Sequence, residues 1–269
     1  MRSLDAYLRR IGLGDRRPSV ADAGSLQMVH RAHVTSIPFE NLDPLRGVPA
    51  SLELEALERK LVTQRRGGFC FEHNTLLAAA LRQLGYEVTP MLGRVGFRES
   101  LVLHVRDRDG QAWHADTGFG VGERSGTLLE PIPFGPGGEY EQSGWRYRVE
   151  SYGDQLVLMA RSSDGAWSDM YSFVPEPAPA IDVETSNWFA STYPGSIFTR
   201  RIVIAATAGS SRTLLSDRSE ALTLLTVTPD ERTVADVDRA DVPRLLAERF
   251  GLPGWRLDDR GRPVPAAEG

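Results

Sequence analysis

Cys70 is the only cysteine among 269 residues, and it stands in Arg66-Gly67-Gly68-Phe69-Cys70, at the head of an apolar helical run. A thiol attacks carbonyl carbon as thiolate, and an ordinary thiol is mostly protonated near neutral pH. A helix N-terminus favours the thiolate, because its free N–H groups present partial positive charge. Two preceding glycines let the backbone approach a substrate closely and offer amides to a developing oxyanion. A lone cysteine also serves as a small buried hydrophobe, the commoner fate of a free thiol. Asp116, in Trp113-His114-Ala115-Asp116-Thr117-Gly118-Phe119-Gly120, places a carboxylate at the end of an apolar strand. Such a group can orient a base, or merely start a turn.

A cysteine nucleophile ordinarily has a histidine beside it, and the chain offers five: His30, His33, His73, His104 and His114. His30 and His33 lie one helical turn apart, but no nearby Cys or clear third ligand completes a site, so no metal is expected. His73 follows Cys70 by three positions and reads as a hydrogen-bonding neighbour. His104 and His114 fall on the two arms of a hairpin, LVLHVRDRDGQAWHAD, that closes at Asp109-Gly110.

These residues need elements to position them. Apolar spacing near three to four predicts helices over 4–11, 26–33, 51–63 and 70–84, the last stopped at Gly85. From there short Val-, Leu-, Trp- and Tyr-rich segments predict strands at 87–95, 101–106, 112–117, 145–151, 155–160 and 167–173. Pro- and Gly-rich loops are expected at 129–139 and 175–182. Strands at 201–206 and 221–227 precede a helix near 241–250, with Pro243 in its first turn and Gly251 at its end. The length is ample for a sizeable core. Apolar residues at 41%, charged residues at 25% and a net charge of −5 describe a globular chain with no electrostatic case for nucleic acid. A single cysteine excludes an internal disulfide, and no stretch reads as a signal peptide or a membrane span. A soluble, cytoplasmic protein is expected, with small-molecule substrates and neither a membrane nor a nucleic-acid partner.

The blocks LDAYLRRIG, HRAHVTSIPFENLD (30–43), RRGGFCFEHN (65–74), DTGFG (116–120) and WFASTYPGSIFTR (188–200), in that order, resemble the arylamine N-acetyltransferase family over nearly the whole chain. The resemblance implies an α+β protein: a papain-like pairing of a helical bundle (1–86) with an antiparallel β-barrel (87–185), then a C-terminal α/β lid (186–269). It implies ping-pong acyl transfer, with no permanently bound cofactor and with acetyl-CoA or another acyl thioester as co-substrate. Cys70 then matches the acyl-accepting nucleophile and Asp116 the acid that orients the base. Phe39, Phe119 and Gly120 match the acceptor pocket, and Arg66 and Glu40 match a charge pair that braces the cysteine loop.

The sequence departs from the family at one point. The family's catalytic histidine opens the strand before the Asp strand, as Thr-His ahead of an apolar run; here that run is Leu101-Val102-Leu103 and the residue before it is Ser100. The preceding loop, GFRES, is short for the family. His104 shares a strand face with position 100 but lies about 13 Å from it. His114, about 7 Å from Asp116 in Cα terms, is the candidate surrogate base. Three readings follow: a cysteine acyltransferase acting on arylamine-type or other amines; a specialised amide synthase of a natural-product pathway, served by a carrier protein; and a non-catalytic homologue that binds CoA or an aromatic ligand.

Overall fold

The computed structural model describes residues 1–96, 98–122, 126–162, 164–218 and 221–266. Phe97, inside the short GFRES loop, lies outside them. The chain begins with α1 (Leu4–Arg10), α2 (Ala23–Ser36), the two-residue β1 (Phe39–Glu40), α3 (Leu42–Leu45) and α4 (Leu54–Leu57). A π-helical turn (Glu58–Thr63) extends α4, and α5 (Cys70–Gln83) completes the helical part. Ser3 and Asp22 cap α1 and α2 with their side chains, as residues at helix starts do. α5 is capped from inside: the Phe69 N–H donates to Glu72 Oε2 at 3.1 Å.

Eight strands follow: β2 (Glu87–Val95), β3 (Arg98–Arg106), β4 (Ala112–Ala115), β5 (Ile132–Pro133), β6 (Tyr140–Gln142), β7 (Trp145–Tyr152), β8 (Gln155–Arg161) and β9 (Trp167–Phe173). They form one antiparallel, barrel-like sheet in the order β5-β4-β3-β2-β9-β8-β7-β6. β2 and β3 pair through Gly93–Ser100 and Val95–Arg98, and β3 and β4 through His104–His114. α6 (Ala180–Thr192) and α7 (Ile197–Arg200) lead to β10 (Val203–Ala208), β11 (Ser211–Arg218), β12 (Ala221–Val227) and β13 (Arg232–Asp236). These four and β1 make a second antiparallel sheet, so the segment Phe39–Glu40 from the helical third is stitched to the C-terminal part. α8 (Val242–Phe250) packs there, ended by Gly251 in the left-handed conformation, before the small hairpin β14 (Trp255–Leu257) and β15 (Pro263–Pro265). The architecture is α+β, as the resemblance implies.

Some elements differ from the sequence expectation for visible reasons. The loop expected at 175–182 ends where α6 begins, and α6 crosses residue 185. Its inner face is Val183, Ser186, Asn187 and Ser191, whereas Ile181, Trp188 and Phe189 are exposed, so no apolar stripe announces the helix. β13 is exposed along its whole length, an edge strand with no alternation to read. The 112–117 strand stops at Ala115, which frees Asp116 to turn back toward α5. Among the described residues, no helix is long and apolar enough to cross a membrane.

Candidate active site

Cys70 occupies the first turn of α5 and is buried. Its sulfur faces three hydrogen-bond donors: the Ser100 hydroxyl and the N–H groups of Leu101 and Phe71. Burial nevertheless pushes the thiol up to about 11, with the nearby Asp116 carboxylate adding to the rise against the pull of those donors. The DTGFG segment lies directly against the cysteine: a Cβ on Gly118 would sit 2.5 Å from Cys70 Cα, so only glycine fits there. Gly67 is also obligatory, but not for a substrate. A Cβ there would fall 1.9 Å from the Pro38 carbonyl oxygen, so the glycine admits the β1 backbone, which the Glu40 N–H then ties to the Gly68 carbonyl at 2.8 Å.

The loop is held by a buried set of charges. Arg66 donates to Glu40 Oε1 at 2.7 Å and to Asp43 Oδ1 at 2.8 Å, so the expected Arg66–Glu40 pair forms. Lys60 adds contacts to Asp43 Oδ2 at 2.9 Å and to Glu72 Oε1 at 2.8 Å. Glu72 thus serves both the helix cap and the cluster. Burial alone would raise the Asp43 carboxyl, but Lys60 and Arg66 overcome it and hold that group well below the usual range. The same partners keep Lys60 and Arg66 charged despite desolvation. Asp43, Lys60 and Glu72 were not singled out from the sequence, because they come from separate segments.

Asp116 is fully enclosed. Its Oδ1 accepts from Asn74 Nδ2 at 2.8 Å and from the Gly118 N–H at 2.7 Å, and the Tyr171 hydroxyl also donates to it. Burial still raises its pKa. Asn74 further donates to the Leu101 carbonyl at 2.6 Å and accepts from the Thr117 N–H at 3.0 Å, locking β3 and the Asp116 turn to α5. Its spacing of four from Cys70 makes it legible on the same helix face. Tyr171, on β9, carried no such signal.

None of the five histidines is hydrogen-bonded to Cys70. His114 stacks on Phe173 with centroids 4.6 Å apart, and its Nε2 meets the Tyr171 hydroxyl at 2.7 Å. Because that hydroxyl donates to Asp116, His114 Nε2 carries the proton and donates to Tyr171, while Nδ1 has no partner. Burial pushes His114 down to about 3, so the candidate surrogate is a neutral buttress, linked to Asp116 through Tyr171. His30 Nε2 accepts from the Asp116 N–H at 3.2 Å and its Nδ1 reaches the Leu129 carbonyl at 3.0 Å. His73 Nε2 donates to the Pro38 carbonyl at 3.2 Å, which fixes the rest of a chain: His33 Nε2 donates to His73 Nδ1 at 2.9 Å, and the Tyr7 hydroxyl to His33 Nδ1 at 2.8 Å. Burial lowers all three rings. His104 packs edge-on to Phe134.

The pocket residues expected by resemblance divide. Phe39 stacks on His73 and lies 3.4 Å from a Cβ position on Gly120, closing a crevice of about 10 Å³. Phe119 packs against Tyr171 at 5.7 Å. The roomier space is a cleft of about 700 Å³ between the β2–β3 hairpin and the α6–α7 segment. Arg98, Phe189, Tyr193 and Phe198 line it, and Phe198 packs on Phe69, the residue before Cys70, at 5.2 Å.

Comparison with known proteins matches this arrangement to one group. A family model described as N-acetyltransferase fits residues 22–255. The arylamine N-acetyltransferase of Mycolicibacterium smegmatis is 38% identical over 262 residues, covering 93% of this chain and 91% of that protein. That of Salmonella typhimurium, also named an N-hydroxyarylamine O-acetyltransferase, is 32% identical, covering 93% and 88%. A solved M. smegmatis arylamine N-acetyltransferase superposes with a TM-score of 0.84 at 37% identity over 94% of this chain and 93% of that one. The Mycobacterium marinum enzyme in complex with CoA superposes equally well, at 0.84 and 33% identity over 93% of each chain. With its buried cysteine at a helix start, its barrel-like sheet and this likeness along almost its full length, the chain belongs to the N-acetyltransferase family represented by the arylamine N-acetyltransferases.

Proposed function

We propose that this protein is a cysteine acyltransferase that takes an acetyl group from acetyl-CoA, or a related acyl group from another thioester, and passes it to an arylamine-type acceptor. Cys70 Sγ attacks the thioester carbonyl; the new S–C bond forms as the donor's S–C bond breaks, and the thiol proton leaves with the donor sulfur. The amine nitrogen then attacks the Cys70 thioester, an N–C bond forms as the Sγ–C bond breaks, and the proton shed by nitrogen returns to Sγ. The observation that carries the reading is the placement of Cys70 at the start of α5 with Ser100, Leu101 and Phe71 aiming donors at its sulfur.

In this reading Ser100 stands at the histidine-equivalent position, and Cys70 works without an imidazole. A hydroxyl stabilises thiolate by one hydrogen bond but cannot pair with it as a cation, and the missing general base is worth about 10²–10⁴-fold. Asp116 has no ring to orient; Asn74, Gly118 and Tyr171 take up its charge and it positions the turn beside Cys70. The reaction therefore depends on an activated donor and on the small thiolate fraction. The depressed thiolate fraction also favours, as the second reading, a non-catalytic homologue that binds CoA or an aromatic ligand.

Intact-mass measurement during incubation with acetyl-CoA separates the two. The transferase gains one acetyl group, Cys70→Ala gains none, and the rate climbs about tenfold per pH unit across neutrality toward the thiol's displaced pKa. A folded protein that gains no acetyl group from acetyl-CoA or other acyl-CoAs at any pH would sink the transferase reading.

A further inference from the structure

A serine in place of an imidazole gives an acyl group on Cys70 a second place to go. Ser100 lies on β3 with its hydroxyl facing the Cys70 sulfur, beside the N–H of Leu101. The strand is tied to the cysteine helix at this point: Asn74, one turn along α5 from Cys70, donates to the Leu101 carbonyl at 2.6 Å and is itself held by the Thr117 N–H at 3.0 Å. Cys70 is 5% exposed and Ser100 3%, so water has little access to the space between them. An acyl group carried by the sulfur therefore meets this hydroxyl more readily than it meets solvent. The two residue types differ in what they can keep. An acyl-imidazole is more reactive than a thioester, whereas an oxygen ester is less reactive, so only the serine can retain the group.

A carbonyl carbon bonded to Sγ stands next to the atom that Ser100 faces, and holding nucleophile and electrophile as neighbours replaces a bimolecular encounter by an intramolecular step. A hydroxyl is a weak nucleophile unless a base takes its proton. Here the departing sulfur is that base: burial gives it a high proton affinity, and the Leu101 and Phe71 N–H groups are in place to receive it. Building on the acyltransferase reading, we infer that an acyl group delivered to Cys70 passes to the Ser100 hydroxyl when no amine intercepts it. The Oγ–C bond forms as the Sγ–C bond breaks, the hydroxyl proton moves to Sγ, and no other reactant is consumed. The step runs downhill from thioester to ester. Ser100 becomes a second covalent acyl site, one that discharges to amines more slowly than Cys70.

The full-length protein, charged with one equivalent of acetyl-CoA and no amine, tests this by mass. Neutral hydroxylamine strips a thioester and spares an ester, and trypsin separates the two sites, Cys70 into the peptide 67–82 and Ser100 into 99–106. The expected result is a hydroxylamine-resistant acetyl group that grows with time and maps to Ser100 as the Cys70 label declines. Ser100→Ala should keep the Cys70 label and lose the resistant fraction, and Cys70→Ala should lose both. A label that stays wholly on Cys70 in the wild type, or Ser100 acetylation that survives in Cys70→Ala, overturns the inference. Charging Cys70 with S-phenyl thioacetate at alkaline pH reads the shift apart from the donor. A Cys70-dependent ester on Ser100 from this reagent, with none from acetyl-CoA, sustains the shift and removes the acetyl-CoA reading alone. Failure of both reagents to place an acyl group on Ser100 overturns the inference, whatever happens at Cys70.

Discussion

Cys70 lies between two regions that treat charge in opposite ways. On the side of the cysteine loop, Glu40, Asp43, Lys60, Arg66 and Glu72 form a dense buried set of ion pairs in which nearly every charge has an opposite neighbour. On the barrel side, Ser100, Asp116, Tyr171 and His114 are as deeply buried, yet they hold a single negative charge, met only by neutral donors. The contrast teaches that the fold secures the position of the thiol far more firmly than it promotes its ionisation. A buried cation beside the sulfur would lower its pKa; the buried cations are instead committed to holding the loop.

Acid breaks the comparison most forcefully, because it reaches the buried neutral rings packed around both regions before it reaches the paired carboxylates. His30 and His73 have folded pKa values of about 4, and His114 of about 3, all below the ordinary histidine value of 6.5. A depressed base binds fewer protons folded than unfolded, so its contribution is complete above about pH 6.5 and is lost as pH falls toward 4. The displacement of His30 or His73 amounts to about 3 kcal/mol per ring. The raised carboxyls of Asp116 and Glu72 work the other way and regain stability on acidification, softening the loss. Denaturant melts between pH 7 and 4 should show a steep decline well above the range where Asp43, held low by Lys60 and Arg66, gives up its charge. Flat stability across that window removes the distinction between the two regions.

Arg66→Ala attacks the charged side. It leaves Glu40, wholly buried, with Lys60 at 3.8 Å as its remaining cationic partner, and a broken buried pair costs roughly 3–5 kcal/mol. The expected outcome is a lower unfolding midpoint together with slower Cys70 acylation, since the loop that carries the cysteine loosens. Tyr171→Phe removes one donor from Asp116 and strands His114 Nε2, at a cost of about 1–3 kcal/mol in stability. It should leave the pH at which Cys70 titrates nearly in place, because Tyr171 acts on the carboxylate and not on the sulfur. Ser100→Ala is the mildest: it deletes one donor to the thiolate, and alkylation of Cys70 by iodoacetamide should slow by about tenfold at a given pH while the melting point barely moves. An unchanged alkylation profile would show that the hydroxyl contributes nothing to the thiolate.

Local chemistry was legible where the decisive contacts are local. α5 shows in its apolar spacing and in Gly85, the Leu101–Asp116 hairpin in its Asp-Gly turn, and the Arg66–Glu40 pair in the resemblance. Even Asn74, one helical turn from Cys70, falls on a face that a helical reading defines. α6 stayed hidden because it buries serines and an asparagine and exposes its aromatics. Phe39 and Gly120, matched by resemblance to the acceptor pocket, pack together beside a small crevice, a contact that no spacing in the sequence encodes.

By itself the sequence determined that a single thiol begins a helix, that a carboxylate ends a strand nearby, and that a serine precedes the apolar run between them, because each depends on residue type and on periodicity within a few positions. Tertiary structure alone decided what surrounds that thiol. The Tyr171–His114 contact spans 57 positions, and the charge cluster gathers β1, α3, the π-helical turn, the cysteine loop and α5. A pKa depends on the water removed and on the charges within a few ångströms, and no one-dimensional spacing encodes either. Only the fold could therefore show that four of the five histidines are hydrogen-bonded elsewhere, that His104 packs on Phe134, and that Cys70 is fixed in place but not activated by a neighbouring ring.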